Sequence, residues 1–181
     1  MAEVLSATLE LFAEQGYAGL SVEAVAVRAG VNKTTIYRRW PSKADLVGAA
    51  LLELRGQDPV PPDTGSLRDD LLEVLRRWAE RIMTPRHRAI TQAFVLSNKD
   101  PDMQALVRRM REERPAIPKV VFERAIARGE LPKGSDTQLI AATLLGTLHH
   151  RAHWKHEPIE ESFIRALVKL VVTGAVGGGA R

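Results

Sequence analysis

Apolar residues recur at helical spacing along almost the whole of this 181-residue chain. Leu5, Leu9 and Phe12 follow the i, i+4, i+7 template, and similar patterns run from Val47 to Leu54 and from Leu71 to Ile82. A strand that buries one face would instead alternate apolar and polar residues, and we find no convincing run of that kind. The sequence therefore predicts an all-α protein.

Glycine, proline and capping residues indicate where the helices end. Gly16, Gly30 and the Pro41-Ser42 pair separate four helices within the first 55 residues. The side chains of Ser21, Asn32 and Ser42 suit the N-caps of the second, third and fourth helices. We therefore predict an N-terminal module of three helices over residues 1–55, which a fourth helix joins to a helical body over residues 56–181.

The predicted body begins with a linker from Gly56 to Gly65 that contains three prolines. Further along, Pro115 and Pro118 should break or kink one helix, because proline lacks an N–H and clashes with the preceding turn. The last two helices are predicted from Asp136 to about Lys155 and from Pro158 to about Gly174.

Composition excludes several classes of protein. Without cysteine, the chain has no disulfide, no thiolate zinc site and no cysteine nucleophile. It has no run of about 18 apolar residues that would suggest a membrane span, and its start does not resemble a secretory signal, so we expect a cytoplasmic protein without membrane contact. The net charge of +4 is compatible with a polyanionic partner but is too small to identify one.

The distribution of charge is more informative than its total. From Arg28 to Lys43 the chain has five basic residues and no acidic one, whereas the acidic residues of the module lie on either side of this segment. The same segment contains a turn, Ala29-Gly30-Val31-Asn32, between two short predicted helices. Glycine permits the tight turn of a helix-turn-helix, whose second helix enters the DNA major groove.

The stretch from Gly30 to Leu46, GVNKTTIYRRWPSKADL, closely resembles the signature of the TetR family of bacterial transcriptional regulators. Leu11-Phe12, Gly16-Tyr17, Ser21 and Val25-Ala26 also lie where that family has similar residues, so the resemblance covers residues 4–54. It implies a DNA-binding regulator, most simply a ligand-responsive repressor that binds a near-palindromic operator as a homodimer. Many family members carry a basic arm before the first helix. This sequence starts at Met1-Ala2-Glu3, so either the arm is missing from it or the protein binds DNA with lower, more salt-sensitive affinity.

Residues of the third helix are the candidates for base recognition, because the first turn of a recognition helix reaches the base edges. Tyr37 and Lys43 resemble the family's backbone contacts, and Arg38 and Arg39 could bind either a phosphate or a guanine edge. Of Tyr37 and Trp40, we expect Trp40 to pack in the core. The predicted DNA-binding residues are Ser21, Lys33, Thr34, Thr35, Tyr37, Arg38, Arg39 and Lys43.

The resemblance also implies a small-molecule site in the body, although helical spacing favours ordinary core packing for each bulky candidate taken singly. Adaptable methionines and aromatic rings would suit an apolar or aromatic effector. The candidates for the wall of this pocket are Trp78, Met83, Phe94, Met110, Phe122, His149, His153 and Trp154.

Family members dimerise through their last two helices, and apolar residues on both support this, although the two helices could also simply complete the core of one chain. The predicted interface residues are Leu144, Leu148, Phe163, Leu167 and Leu170.

Two other kinds of function remain open. His149 and His153 are four residues apart on one helix face, a spacing that a metal could use, so a helical metal-binding or enzymatic bundle is one alternative. A module whose basic helix binds an acidic protein is another. The sequence shows no nucleophile-base pair or phosphate loop, and we expect no catalytic residue, cofactor or metal.

Overall fold

A computed structural model describes residues 1–55, 60–97, 99–113 and 115–177. This part of the chain consists of helices and turns without a strand, which confirms the predicted all-α fold. The α-helices are α1 (Ala2–Gly19), α2 (Val22–Arg28), α3 (Lys33–Tyr37), α4 (Lys43–Arg55), α5 (Leu67–Ile82), α6 (Pro85–Leu96), α7 (Pro101–Glu113), α8 (Lys119–Ala127), α9 (Thr137–His149) and α10 (Glu161–Gly177). A π-helix, His150–Trp154, continues directly from α9.

Side-chain caps fix the starts of several helices. The Ser21 hydroxyl accepts a hydrogen bond from the Ala24 amide, and the Asn32 carbonyl oxygen accepts one from the Thr34 amide. Ser42 accepts from the Asp45 amide and donates its own proton to the Asp45 carboxylate at 2.7 Å. Each cap satisfies an amide that has no partner inside its helix, as the sequence predicted for α2, α3 and α4.

The predicted breaks also occur, with some differences in position. Gly16 interrupts α1 with a left-handed φ of 68°, a conformation that glycine adopts without steric cost. No helix includes residues 60–65 of the predicted linker, whereas residues 56–59 lie outside the described part of the chain. Pro118 precedes α8 as predicted, but α10 begins at Glu161, three residues after Pro158.

The chain packs as two compact units. The first contains Met1–Asp58 together with Pro85–Glu113, and the second contains Pro59–Thr84 together with Arg114–Arg181. The predicted boundary after residue 55 left α6 and α7 in the second domain, because helical periodicity shows that a face is apolar but not which core covers it. As a division between a DNA-binding and a ligand-binding region, that boundary stays a prediction.

In the first unit, α6 packs on α1 and α7 packs on α4. Ile90 and Ala93 of α6, and Met103 and Leu106 of α7, are buried in one core with residues of α1 to α4 such as Phe12. The short helices α2 and α3 therefore share a core with four other helices, α1, α4, α6 and α7, rather than with α1 and α4 alone.

The second unit has its own core, formed by α5, α8, α9 and α10. Its buried Asp70 carboxylate accepts hydrogen bonds from the amide and hydroxyl of Thr64 at 2.7 and 2.8 Å, and Arg128 lies 3.4 Å away. These partners compensate the burial of the charge. Over the described residues, no helix is long and apolar enough to cross a membrane.

Candidate DNA-binding surface

The turn between α2 and α3 has the geometry that a helix-turn-helix requires. Gly30 has φ 66°, and it follows α2 in a Schellman motif in which the Val31 amide donates to the Ala26 carbonyl and the Gly30 amide to that of Val27. Asn32 then caps α3. Ile36 anchors α3 because its side chain is fully buried, so the remaining residues of this short helix face outward or lie at its edge.

The predicted base-reading residues occupy the first turn of α3. Lys33 and Thr34 are exposed, and Thr35 is half-buried. The Lys33 ammonium lies 3.5 Å from the Glu23 carboxylate, and both side chains are 57% exposed, so this pair can separate at little cost when DNA approaches. The Thr34 hydroxyl donates to the Asn32 side chain at 2.9 Å, which fixes its direction.

Two arginines give this surface its positive charge. Arg38 and Arg39 are exposed, and neither is paired with a carboxylate within the described residues. Arg28, by contrast, binds Glu14 at 2.7 Å. The Arg39 guanidinium also lies 5.8 Å from the centre of the Trp40 ring. Two cationic groups that are available for phosphates therefore follow α3 directly.

Of the two aromatic residues Tyr37 and Trp40, it is Trp40 that packs against the core, as the sequence predicted. Tyr37 is 42% exposed, whereas Trp40 is half-buried and packs against the core of the first unit. Tyr37 can therefore present its phenol to a ligand, and Trp40 acts mainly in packing.

Lys43, the first residue of α4, is held by a residue that the sequence did not single out for binding. Its ammonium donates to the Tyr17 carbonyl oxygen at 2.9 Å and lies 4.2 Å from the centre of the Tyr17 ring. An ammonium has three N–H groups, so two remain for other acceptors. Nothing in the sequence indicates this contact, because Tyr17 precedes Lys43 by 26 residues.

Ser21 is exposed at the start of α2, where its oxygen caps the helix. The hydroxyl proton is not used in that bond, so Ser21 can still donate to a phosphate oxygen. The surface formed by Ser21, Lys33, Thr34, Thr35, Tyr37, Arg38, Arg39 and Lys43 is called the basic surface below.

Comparison with known proteins identifies the fold that carries this surface. A family model described as bacterial regulatory proteins, tetR family, matches residues 4–50, and one described as tetracyclin repressor-like, C-terminal domain, matches residues 61–171. The chain belongs to the TetR family. It is accordingly a DNA-binding transcriptional regulator.

Similar proteins cover nearly all of the chain. An uncharacterised helix-turn-helix transcriptional regulator of Mycobacterium tuberculosis is 35% identical over 172 residues, which are 94% of this chain and 84% of that protein. The DNA-binding transcriptional repressor TetR of Mycobacteroides abscessus is 33% identical over 99% of this chain and 95% of its own length. The TetR-family regulator SCO0332, which has a crystal structure, is 32% identical to this chain in sequence. The two structures align with a TM-score of 0.68 over 96% of each chain.

The residues predicted for a TetR-type effector pocket belong to different packing units. Met110 packs against the core of the first unit, whereas Phe122 is buried in the core of the second. Trp154 is 78% exposed, so it lines no cavity within its own chain. The side chain of Phe94 lies outside the described part of the chain.

The remaining pocket candidates belong to the second unit, and three of them, Trp78, His149 and His153, form an aromatic cluster. Trp78 and Met83 are half-buried against its core, and the Trp78 and His149 rings meet edge to face with 4.6 Å between their centres. The His149 and His153 rings are 5.3 Å apart. No group of three histidine or carboxylate side chains among the described residues could hold a metal ion.

The predicted TetR-type interface residues need a correction. Leu144 and Leu148 are fully buried in the core of their own chain, and Leu167 is almost fully buried. Phe163 is half-buried beneath the Arg151 guanidinium, at 4.4 Å from its ring centre. Only Leu170, which is 72% exposed, offers a large free surface. The apolar residues do recur at helical spacing on α9 and α10, but the more hydrophobic face of each helix packs in the core of the chain.

Proposed function

We propose that the chain is a ligand-responsive repressor that binds a near-palindromic operator as a homodimer. The observation that carries this proposal is the basic surface, in which an exposed, capped α3 is followed by the fixed ammonium of Lys43 and by arginines that have no carboxylate partner among the described residues. The relative from Mycobacteroides abscessus is named as a repressor, which supports repression rather than activation.

In this proposal α3 enters the major groove. Lys33, Thr34 and Thr35 read base edges, since they form the first turn of the helix. Tyr37 and Lys43 bind phosphates on either side of the groove, together with Ser21 at the start of α2. Arg38 and Arg39 add charge that favours binding to any duplex, and this contribution weakens as salt rises.

Dimerisation is supported by an apolar face that the single chain leaves uncovered. Leu139 is 63% exposed and shares one side of α9 with the exposed Ala142 and Gly146. On α10, Leu170 shares a side with the exposed Ala166. Because α9 packs beside α10, a second copy could bury both sides and form a four-helix bundle.

The effector site is proposed around Trp78, Met83 and His149. Two half-buried aromatic rings in edge-to-face contact, and a methionine that packs against the same core, favour an apolar or aromatic small molecule, with imidazole groups as the polar partners. Such a molecule would release the operator only through its higher affinity for the DNA-free state, and DNA would weaken effector binding by the same factor.

Selection of duplexes from a random DNA pool by the full chain tests the proposal. We expect enrichment of a near-palindrome whose half-sites are separated by about one helical turn, roughly 34–36 Å, or a multiple of it. The triple variant Lys33→Ala, Thr34→Ala, Thr35→Ala should still bind duplexes but should lose the enrichment. Enrichment of a single asymmetric half-site would contradict the dimer, and no enrichment at all would contradict sequence-specific binding.

A further inference from the structure

Lys43 is positioned for DNA through Tyr17, and Tyr17 is in turn held by a residue about eighty positions later in the chain. The first step is the contact of the Lys43 ammonium with the Tyr17 carbonyl and ring, at 2.9 and 4.2 Å. The carbonyl oxygen accepts a hydrogen bond from the ammonium, and the ring attracts it by a cation–π interaction. Where Tyr17 lies therefore determines where the Lys43 charge lies.

The second step is how Tyr17 is fixed. Its side chain is 2% exposed, and its amide donates to the Ser97 hydroxyl oxygen at 3.0 Å. Gly16 allows Ser97 this close approach, because a Cβ at Gly16 would lie 3.3 Å from the Ser97 oxygen. The Tyr17 hydroxyl lies 3.5 Å from the Asp102 carboxylate.

Ser97 and Asp102 belong to the α6–α7 segment, which is matched by the family's C-terminal model but packs in the first unit. Ser97 and Asp102 therefore both hold Tyr17, which directly follows the break in α1 at Gly16. A loss of either contact would leave the Tyr17 peptide free to shift, and the Lys43 ammonium would move with its carbonyl acceptor.

We infer that Ser97 is a positioning residue for DNA binding: its hydroxyl holds the Gly16-Tyr17 turn, which holds the Lys43 ammonium in the place where it meets a DNA phosphate. The inference rests on the proposed phosphate contact of Lys43. It assigns a part in operator binding to a residue that lies outside the helix-turn-helix and outside the matched N-terminal family region, residues 4–50.

A double-mutant cycle on the full chain tests this inference, with a duplex selected from random DNA as the probe. Ser97→Ala should weaken binding by roughly three- to tenfold, the range expected for one hydrogen bond. In the Lys43→Ala background the same change should have no further effect, because the group that Ser97 positions is then gone. Ser97→Thr keeps the hydroxyl and should restore most of the affinity.

A spectroscopic readout separates positioning from a general loss of structure. The Lys43 methylene protons near the Tyr17 ring should show ring-current shifts in the parent chain, and Ser97→Ala should reduce them. The matched control is Ser6→Ala, which removes another hydroxyl between α1 and α6. The Ser6 hydroxyl accepts a hydrogen bond from the Arg86 guanidinium at 3.3 Å and does not contact Tyr17. This control should leave both the affinity and the Lys43 shifts unchanged.

Each other outcome has a definite meaning. If Ser97→Ala weakens binding equally with and without Lys43, Ser97 acts through the fold and the inference is overturned. If Ser97→Ala leaves affinity unchanged while Lys43→Ala lowers it, the phosphate contact stands and the role of Ser97 is rejected. If Lys43→Ala alone has no effect, the proposed phosphate contact fails first, and the inference fails with it.

Discussion

Single residues of the basic surface differ in what holds them before DNA arrives. Lys33 is in an exposed ion pair that costs little to break, whereas Lys43 is fixed by a carbonyl and a ring. A fixed ammonium loses less side-chain entropy on binding a phosphate than a free lysine does. Lys43 should therefore contribute more per contact than the more exposed Lys33.

Lys43→Ala is expected to weaken binding to specific and non-specific duplexes alike, since a phosphate contact carries no sequence information. The slope of log affinity against log salt should become shallower by about one, the change for one lost phosphate contact. Tyr37→Ala should also weaken binding, and Tyr37→Phe tells whether the phenol or the ring is needed. Lys133→Ala, at an exposed lysine of the second unit, is the control. An unchanged salt slope in Lys43→Ala would show that this ammonium does not face a phosphate.

Tyr17 should also make the fold sensitive to alkali. Its burial, and next the nearby Asp102 and Asp100 carboxylates, raise the pKa of the phenol from 10.0 to about 12. Because the pKa is higher in the folded state, the protonated phenol stabilises the fold fully below pH 10, and this contribution is lost as the pH rises towards 12. In a Tyr37→Phe background, absorbance at 295 nm should show Tyr17 ionising near pH 12. Ionisation of Tyr17 near pH 10 in the folded chain would contradict its burial.

At the scale of helices, periodicity and capping residues predicted most of the fold. Gly30, Asn32 and Ser42 end or begin helices where the sequence indicated, and Gly16 breaks the helical conformation within α1, because these local rules depend on neighbours along the chain. What could not be predicted depends on partners that are distant in sequence. Examples are the contact of Ser97 with Tyr17 and the membership of α6 and α7 in the first unit.

The same limit applied to the interface helices. Leu144 and Leu170 have equally good helical spacing, yet one is fully buried in its own chain and the other is largely exposed. A sequence pattern shows that both faces are apolar, but not which of them the chain covers itself. The π-helix after α9 was also not predicted, since nothing in its residues, His150–Trp154, distinguishes it from an ordinary last turn.

The short helix α3 should depend strongly on its cap. Five residues are too few to form a stable helix alone, so α3 relies on Ile36 and on the two hydrogen bonds accepted by Asn32. Asn32→Ala should lower the free energy of unfolding by about 1 kcal/mol and should also weaken operator binding. Asp136→Ala removes the comparable cap of α9 and should cost similar stability without loss of DNA affinity. Urea unfolding and duplex titration measure the two effects. Equal DNA affinities for both variants would show that the cap does not order α3 for binding.

At the scale of the whole molecule, the two packing units do not coincide with the two family regions. The matched C-terminal region, residues 61–171, contains α6 and α7, which share a core with the helix-turn-helix. A boundary drawn between the two family regions would therefore separate α6 and α7 from the core that they share with the helix-turn-helix.

The last prediction concerns assembly into a dimer, and the exposure of each side chain in the single chain decides which residue to change. Leu170→Glu places a charge on the exposed face of α10, so it should leave the single chain folded but separate the dimer, because the partner would have to bury an unpaired carboxylate. Val60→Glu is the matched control, since Val60 is 84% exposed on the same unit but is not part of α9 or α10. It should sediment as the parent does at micromolar concentration. Leu167→Glu, by contrast, should unfold the second unit, because that side chain is only 7% exposed. A Leu170→Glu chain that still sediments as a dimer would place the interface elsewhere, whereas a folded monomer with weaker operator binding would show that two copies of α3 act together on one palindrome.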